Sequence, residues 1–367
     1  MGGRTAFRVG YSSQRHESSL HNGGRPGNDA HATAVSGPRC LNMDSDTPAA
    51  PPPSARRPSI PPWLNLALRL AATAALLAYA LGDVDWQSFL QLLREADWRW
   101  WVAGLVTGLL VQVVAGVRWA ALARPLGFDF PRRFFVWRFF EGMFFSLCLP
   151  SSIGGDVIKA YRIGDTTPRR LLAGCTVLAD RLTGLAALAV LAGAALAARK
   201  YALSLPMTLA VASGLLVVAL AAFLLPVAFL DRIVAVLPAG HPARAFLSQL
   251  LPYQQKPSLI AKAVAWSFVV QIGGAVAVGL SARALGIDQP LSLWFSVVPL
   301  VALAMVLPIS IGGFGVRENA LTFLLSEQGV ASEQAVAVAL LWGFSTIITG
   351  LVGGCLFLLD RSHQRDA

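Results

Sequence analysis

The chain has 367 residues, 55% of them hydrophobic and 14% charged, with a formal net charge of +10 and a mean hydropathy of +0.58. A soluble domain of that length needs more polar surface, so the composition excludes an ordinary globular enzyme and predicts an all-α polytopic membrane protein. Lys and Arg sit in short segments between apolar runs, which fits the positive-inside bias and the anionic inner leaflet, so no nucleic acid is expected as a partner.

Residues 1–58 are rich in Gly, Ser, Pro, Asn and Arg and end in "APPPSARRP". Such a segment cannot bury a core and is expected to be a disordered basic tail. No apolar stretch of signal-peptide type precedes Pro62, and Met43 is an alternative start. The membrane domain is expected at 59–361, with one half at about 62–199 and a second at about 203–360, before a short tail at 362–367.

Apolar segments follow in order at 63–81, 100–122, 134–149, 171–198, 205–230, 260–280, 291–307 and 335–359. A membrane span takes about 20 apolar residues, so about six of these qualify as full spans. The segments at 134–149 and 291–307 are short. Each ends in a broken motif, "LPSSIGGD" from Leu149 and "LPISIGGF" from Leu307, which differ at Ser151 against Ile309 and at Asp156 against Phe314.

The charge count orients the chain. Arg56 and Arg57 precede the first segment; Arg118, Arg124, Arg132, Arg133 and Arg138 cluster at and after the end of the second; Lys159, Arg162, Arg169 and Arg170 follow the first broken motif. The connection holding Asp83, Asp85, Glu95 and Asp97 against Arg94, with Trp86, Trp98, Trp100 and Trp101, reads as the outer side. Both termini then lie in the cytoplasm of a multi-pass cell (inner) membrane protein, with Arg199 and Lys200 as the exception. Arg69 and Arg118 are expected to snorkel from the inner ends of their spans. Both flanks of 134–149 are basic, so that segment is expected to be a re-entrant hairpin rather than a crossing. Irregular backbone at membrane depth is tolerated where it is buried in protein or lines a wet cavity, so the turn implies a cavity. Three full spans per half make the second half start from the opposite side. The two hairpins then form an inverted repeat that meets near the midplane, the arrangement in which paired Gly/Pro-interrupted segments mark a transport site.

Chemistry concentrates at those motifs. Gly154, Gly155, Gly312 and Gly313 let an anion approach the backbone, and a helix starting after each pair aims N–H groups at it. Ser152 and Ser310 add hydroxyl donors or caps. Lys159 and Arg162 read either as phosphate ligands or as topology anchors. Arg317 reads either as a phosphate ligand or as the partner of Glu318. Asp156 either caps the helix after Gly155 or pairs with a base. Asp180 and Arg181, in "LADRLTGL", lie either at the inner interface or inside the membrane facing the hairpins. Glu141 stands alone in "FFEGMFF" and is expected to face protein. Cys40, Cys148, Cys175 and Cys355 have no metal-like spacing, and no His cluster exists, so no metal, cofactor or catalytic constellation is expected.

"GGDVIKAYRI", "LADRLTGL" and "SIGGFGVRENAL", in that order and spacing, resemble the lysylphosphatidylglycerol synthase transmembrane-region family, also called flippase-like domain proteins. The resemblance covers roughly 61–359 and implies site positions at Gly154, Gly155, Asp156, Lys159, Asp180, Arg181, Gly312, Gly313, Gly315, Arg317 and Glu318. The family often has Arg at the position of Lys159. Its well-understood members fuse such a domain to a soluble aminoacyl-transferase, and this chain is expected to be a stand-alone member. The resemblance implies translocation or binding of an anionic or modified phospholipid or a lipid-linked headgroup. Membrane lipids are the expected partners, and the oligomeric state stays open. A lipid-binding membrane subunit serving a partner glycosyl- or aminoacyl-transferase is the alternative. A membrane-embedded transferase using Asp156, Asp180 or Glu318 is the third reading.

Overall fold

The computed structural model describes residues 62–82, 84–149, 154–198, 214, 228–306, 310 and 312–365. The expected tail at 1–58, the turn at 150–153 with Ser152, and most of the expected span at 205–230 lie outside the described residues. The compact unit considered below is Ser59–Ala367.

Every element among the described residues is helical: α1 (Pro62–Gly82), α2 (Trp86–Arg94), α3 (Trp98–Ala123), α4 (Arg132–Cys148), α5 (Gly154–Ile163), α6 (Thr167–Ala198), α7 (Leu230–Val236), α8 (Pro242–Ser248), α9 (Leu251–Gln255), α10 (Pro257–Ala284), α11 (Leu291–Ala304), α12 (Val316–Ser326) and α13 (Ser332–Arg365). The starts have local causes. Asp85 accepts the Gln87 and Ser88 N–H groups and so begins α2, and Asp97 accepts the Arg99 N–H and begins α3. Proline opens α8, α9 and α10, where its missing N–H is harmless. The last helix continues through residues set apart above as a tail.

Among the described residues four helices are long and apolar enough to cross a membrane: Trp98–Leu126, Thr167–Leu196, Pro257–Ala284 and Ser332–Asp360. At about 1.5 Å per residue the third reaches some 42 Å, beyond the ~30 Å of a hydrocarbon core. Ala67–Gly82 and Trp86–Arg94 form a further apolar pair bent by 88°. The chain is therefore an all-α polytopic membrane protein. The two short segments expected at the broken motifs are α4, of 17 residues, and α11, of 14. Each packs against the short helix that follows its motif, α5 and α12 respectively.

The packing has internal symmetry. Helix α3 packs on α10, α4 on α3 and α13, α5 on α4 and α6; equally, α11 packs on α10 and α6, and α12 on α11 and α13. Exchanging α3 with α10, α4 with α11, α5 with α12 and α6 with α13 leaves this pattern unchanged. Direction settles the kind of repeat. Gly104 near the start of α3 lies against Ala277 and Ser281 near the end of α10, and Gly273 lies against Val111. The equivalent helices thus run antiparallel. A repeat about an axis along the helices would make them parallel; the antiparallel pair is the arrangement that an inversion of topology requires.

Small residues let the layers approach. A Cβ at Gly353 of α13 would strike the Phe140 carbonyl of α4, and one at Gly116 of α3 would come 2.7 Å from the Val136 Cα of α4. Close backbone approach is how helices gain dispersion contact where lipid supplies no hydrophobic drive.

A cationic cleft beside the first broken motif

Helix α5 is pressed onto α4 at Gly155, where a side chain would collide with the Gly142 carbonyl and the Ser146 hydroxyl. This contact places the next residues. The Lys159 stem lies along Gly142, its ammonium 4.0 Å from the Phe139 ring centroid and 3.2 Å from Asp156 Oδ1. The other Asp156 oxygen accepts from Arg181 Nε of α6 at 2.9 Å. Asp156 therefore pairs with two bases across two helices, from the first turn of α5, where the dipole also favours a carboxylate.

Asp180 and Arg181 are adjacent in sequence but face different neighbours. Asp180 is buried and accepts from Arg118 Nε of α3 at 2.8 Å, while Arg118 Nη1 donates to Ser267 of α10 at 2.8 Å. The expectation that Arg118 snorkels is thus corrected. Its guanidinium is held inside because a buried carboxylate and a hydroxyl satisfy it there, and Gly184 leaves room beside it. Arg162 also has a partner: its Nη2 lies 2.7 Å from Glu141 Oε1. Glu141 has no exposed surface and holds Arg138 Nη1 at 2.7 Å, which reaches Asp360 of α13 at 2.9 Å. This chain of charges joins α4, α5 and α13. Glu141 faces protein, as its isolation among phenylalanines led us to expect.

At the second motif Gly312, Gly313 and Gly315 all have positive φ, of 62°, 78° and 84°. The backbone turns there in a way that side chains resist. Glu318 reaches back to accept the Gly315 N–H at 2.6 Å, and its other oxygen accepts from Arg317 Nη2 at 2.7 Å. Both are buried, Arg317 to 1% exposure and Glu318 to 0%. The Arg317 guanidinium also lies 4.8 Å from the Phe314 ring centroid, and a Cβ on Gly343 would displace it. Asn319 donates to the Leu76 and Gly315 carbonyls at 2.7 Å, tying α12 to α1. Ser310 is half-buried.

Beside the first motif is a cleft of about 790 Å³. Helix α5 lines it with Asp156, Val157, Ala160 and Tyr161, α6 with Arg170, Leu171, Gly174, Val177, Leu178 and Arg181, and the end of α11 with Ala302, Met305 and Val306. Met305, which lines the cleft, packs beneath Gly313 of the second motif. Of the expected site residues, Asp156 and Arg181 line the cleft and Lys159 stands behind Asp156. Arg162, Asp180, Arg317 and Glu318 sit in ion pairs elsewhere.

Arg170 lines the cleft, although charge counting along the sequence does not single it out. It was absorbed there into the basic flank of the motif. Its Nε donates to the Gly164 carbonyl at 3.2 Å and its guanidinium lies 3.9 Å from the Tyr161 ring centroid. The signal was present: positions 170, 171, 174, 177, 178 and 181 recur at helical spacing and mark one face of α6. Chemically the cleft offers a largely apolar wall with two guanidinium groups and one shared carboxylate, a surface suited to an amphiphile with an anionic group.

No curated protein and no solved structure matches the chain. The family described as lysylphosphatidylglycerol synthase TM region matches residues 66–354, which takes in both broken motifs, the cleft and every ion pair above except Arg138–Asp360 in part. The chain belongs to the lysylphosphatidylglycerol synthase transmembrane-region family.

Proposed function

We propose that this protein is a lipid translocase of the cell membrane, binding one phospholipid at a time in the cleft between α5, α6 and α11. The observation that carries this reading is the cleft itself. It has the volume of a small-molecule site, mostly aliphatic lining, and charged groups supplied by the first broken motif and by the "LADRLTGL" segment. The antiparallel relation of α3 and α10 supports alternating access around a site shared by the two halves. In the topology that goes with this reading, about six spans cross the bilayer. The hairpins α4–α5 and α11–α12 enter from opposite faces, and both termini are cytoplasmic. The family's name ties this kind of membrane region to an enzyme of phospholipid modification, which fits a lipid as cargo.

The test is reconstitution of the full chain in liposomes containing a headgroup-labelled phospholipid, with a membrane-impermeant quencher added outside. Labelled lipid of the inner leaflet should become accessible faster than in protein-free liposomes. Binding without any gain in exchange would instead identify a lipid-holding subunit for a partner transferase.

A further inference from the structure

The three charged groups around Asp156 are unequally placed. Lys159 is 7% exposed and Asp156 15%, whereas Arg181 is 57% exposed. Lys159 is locked behind the carboxylate. Arg181 uses Nε on Asp156 and, among the described residues, makes no other hydrogen bond, so its two Nη groups are available to the cleft. Arg170 has the same form: Nε is used by the Gly164 carbonyl, the ring face of Tyr161 orients the plane, and the Nη groups are unused among the described residues. Both arginines lie on one face of α6, three turns and about 16 Å apart along its axis. That separation is about half of a ~30 Å hydrocarbon core. Between them the same face presents Leu171, Gly174, Val177 and Leu178 to the cleft.

We infer that the cleft selects a phospholipid whose headgroup carries net negative charge, that Arg170 and Arg181 are its shallow and deep phosphate ligands, and that Asp156 is the counter-anion that holds Arg181 until the lipid phosphate replaces it. This rests on the lipid reading above. Arg170 sits near the start of α6, at the mouth expected on the cytoplasmic side, and Arg181 at the depth of the broken motif. A guanidinium fork matches phosphate through two donors. When the phosphate takes Arg181, Lys159 stays on Asp156, so no carboxylate is left without a cation. The same charges act against the opposite headgroup. Three cations face one carboxylate, and that carboxylate is already bound twice, so an ammonium group entering the cleft meets repulsion and, among the described lining residues, no carboxylate free to take it. A lipid bearing a lysyl ester, with two ammonium groups on one phosphate, is therefore the disfavoured ligand.

The experiment is competition for a spin-labelled phosphatidylglycerol bound to the full chain in neutral-detergent micelles. The competitors are unlabelled phosphatidylglycerol, phosphatidylcholine, lysyl-phosphatidylglycerol and inorganic phosphate. Phosphatidylglycerol should compete about tenfold better than either of the other lipids, equivalent to about 1.4 kcal/mol. Inorganic phosphate should not displace the label. Arg181→Gln should shrink the preference to about threefold or less, and Arg181→Lys should restore part of it. The double change Asp156→Asn, Lys159→Met removes a buried pair together and frees Arg181, so phosphatidylglycerol should bind more tightly. Equal or better competition by lysyl-phosphatidylglycerol, or full preference retained in Arg181→Gln, would overturn the charge selection and leave the lipid reading standing. Displacement by inorganic phosphate as effective as by lipid would identify a free-anion site and overturn the inference. If the label binds equally to Gly174→Leu, whose added side chain projects into the cleft from its α6 wall, the cleft is not the lipid site and both readings fall.

Discussion

Replacing Arg317 with methionine removes a charge while keeping much of the volume, and so isolates electrostatics from cavity formation. Arg317 and Glu318 are 1% and 0% exposed, and Glu318 also holds the Gly315 N–H that starts α12. Loss of Arg317 leaves a buried carboxylate whose remaining partner, among the described residues, is one backbone amide. Breaking such a pair from one side costs about 3–5 kcal/mol, a large share of the roughly 5–15 kcal/mol that holds a typical fold. Arg317→Met is therefore expected to lower the amount of inserted protein and its thermal midpoint in detergent. Arg317→Met combined with Glu318→Gln should recover most of both, because glutamine still accepts the Gly315 N–H and no charge is stranded. Lipid exchange by the double variant, per folded molecule, should stay near that of the parent, since neither residue lines the cleft. A single variant with normal protein level and midpoint but abolished exchange would refute this reasoning and make Arg317 a lipid ligand.

Two further outcomes are expected. Gly155→Val places a side chain against the Gly142 carbonyl and Ser146 of α4; overpacking of this kind costs about 1–3 kcal/mol, and the thermal midpoint in detergent should fall below that of the parent. Outside the spans, the Ser88 hydroxyl and the Gln87 amide hold the exposed Asp85 carboxyl below its usual range. A depressed folded value means that Asp85 stabilises the start of α2 above the ordinary carboxylate range and loses that effect as pH falls through the folded value. Protection of the α2 amides against hydrogen exchange, relative to the intrinsic rate at each pH, should fall on acidification below about pH 4, and Asp85→Asn should remove this contribution to the pH dependence.

The parts of the fold legible in sequence are those governed by local rules. Apolar run length separated Trp98–Leu126 and Pro257–Ala284, which can cross a bilayer, from the shorter α4 and α11. The repeated L-P-x-S-I-G-G pattern marked the two places where a short apolar helix gives way to a second short helix, α4 to α5 and α11 to α12. Ion-pair partners were not legible, because they depend on register between distant helices. Arg118 meets Asp180 across 62 positions of sequence, and Arg138 meets Asp360 across 222. A buried arginine and a snorkelling one look alike until the facing helix is known. Arg317 shows the same limit. Its neighbour Glu318 was visible, but that the two satisfy each other inside the protein depends on the positive φ of Gly315 and the space left by Gly343.

The measurement that tests the central claim most directly is leaflet exchange by Gly174→Leu. A Cβ at this position meets nothing within 4 Å, so the side chain can enter the cleft without moving the backbone. Within a helix, leucine in place of glycine is also favourable by about 0.5–1 kcal/mol. The account predicts unchanged or raised thermal stability together with exchange reduced to the protein-free rate. Exchange at the parent rate, in a protein shown to be folded and inserted, would contradict it.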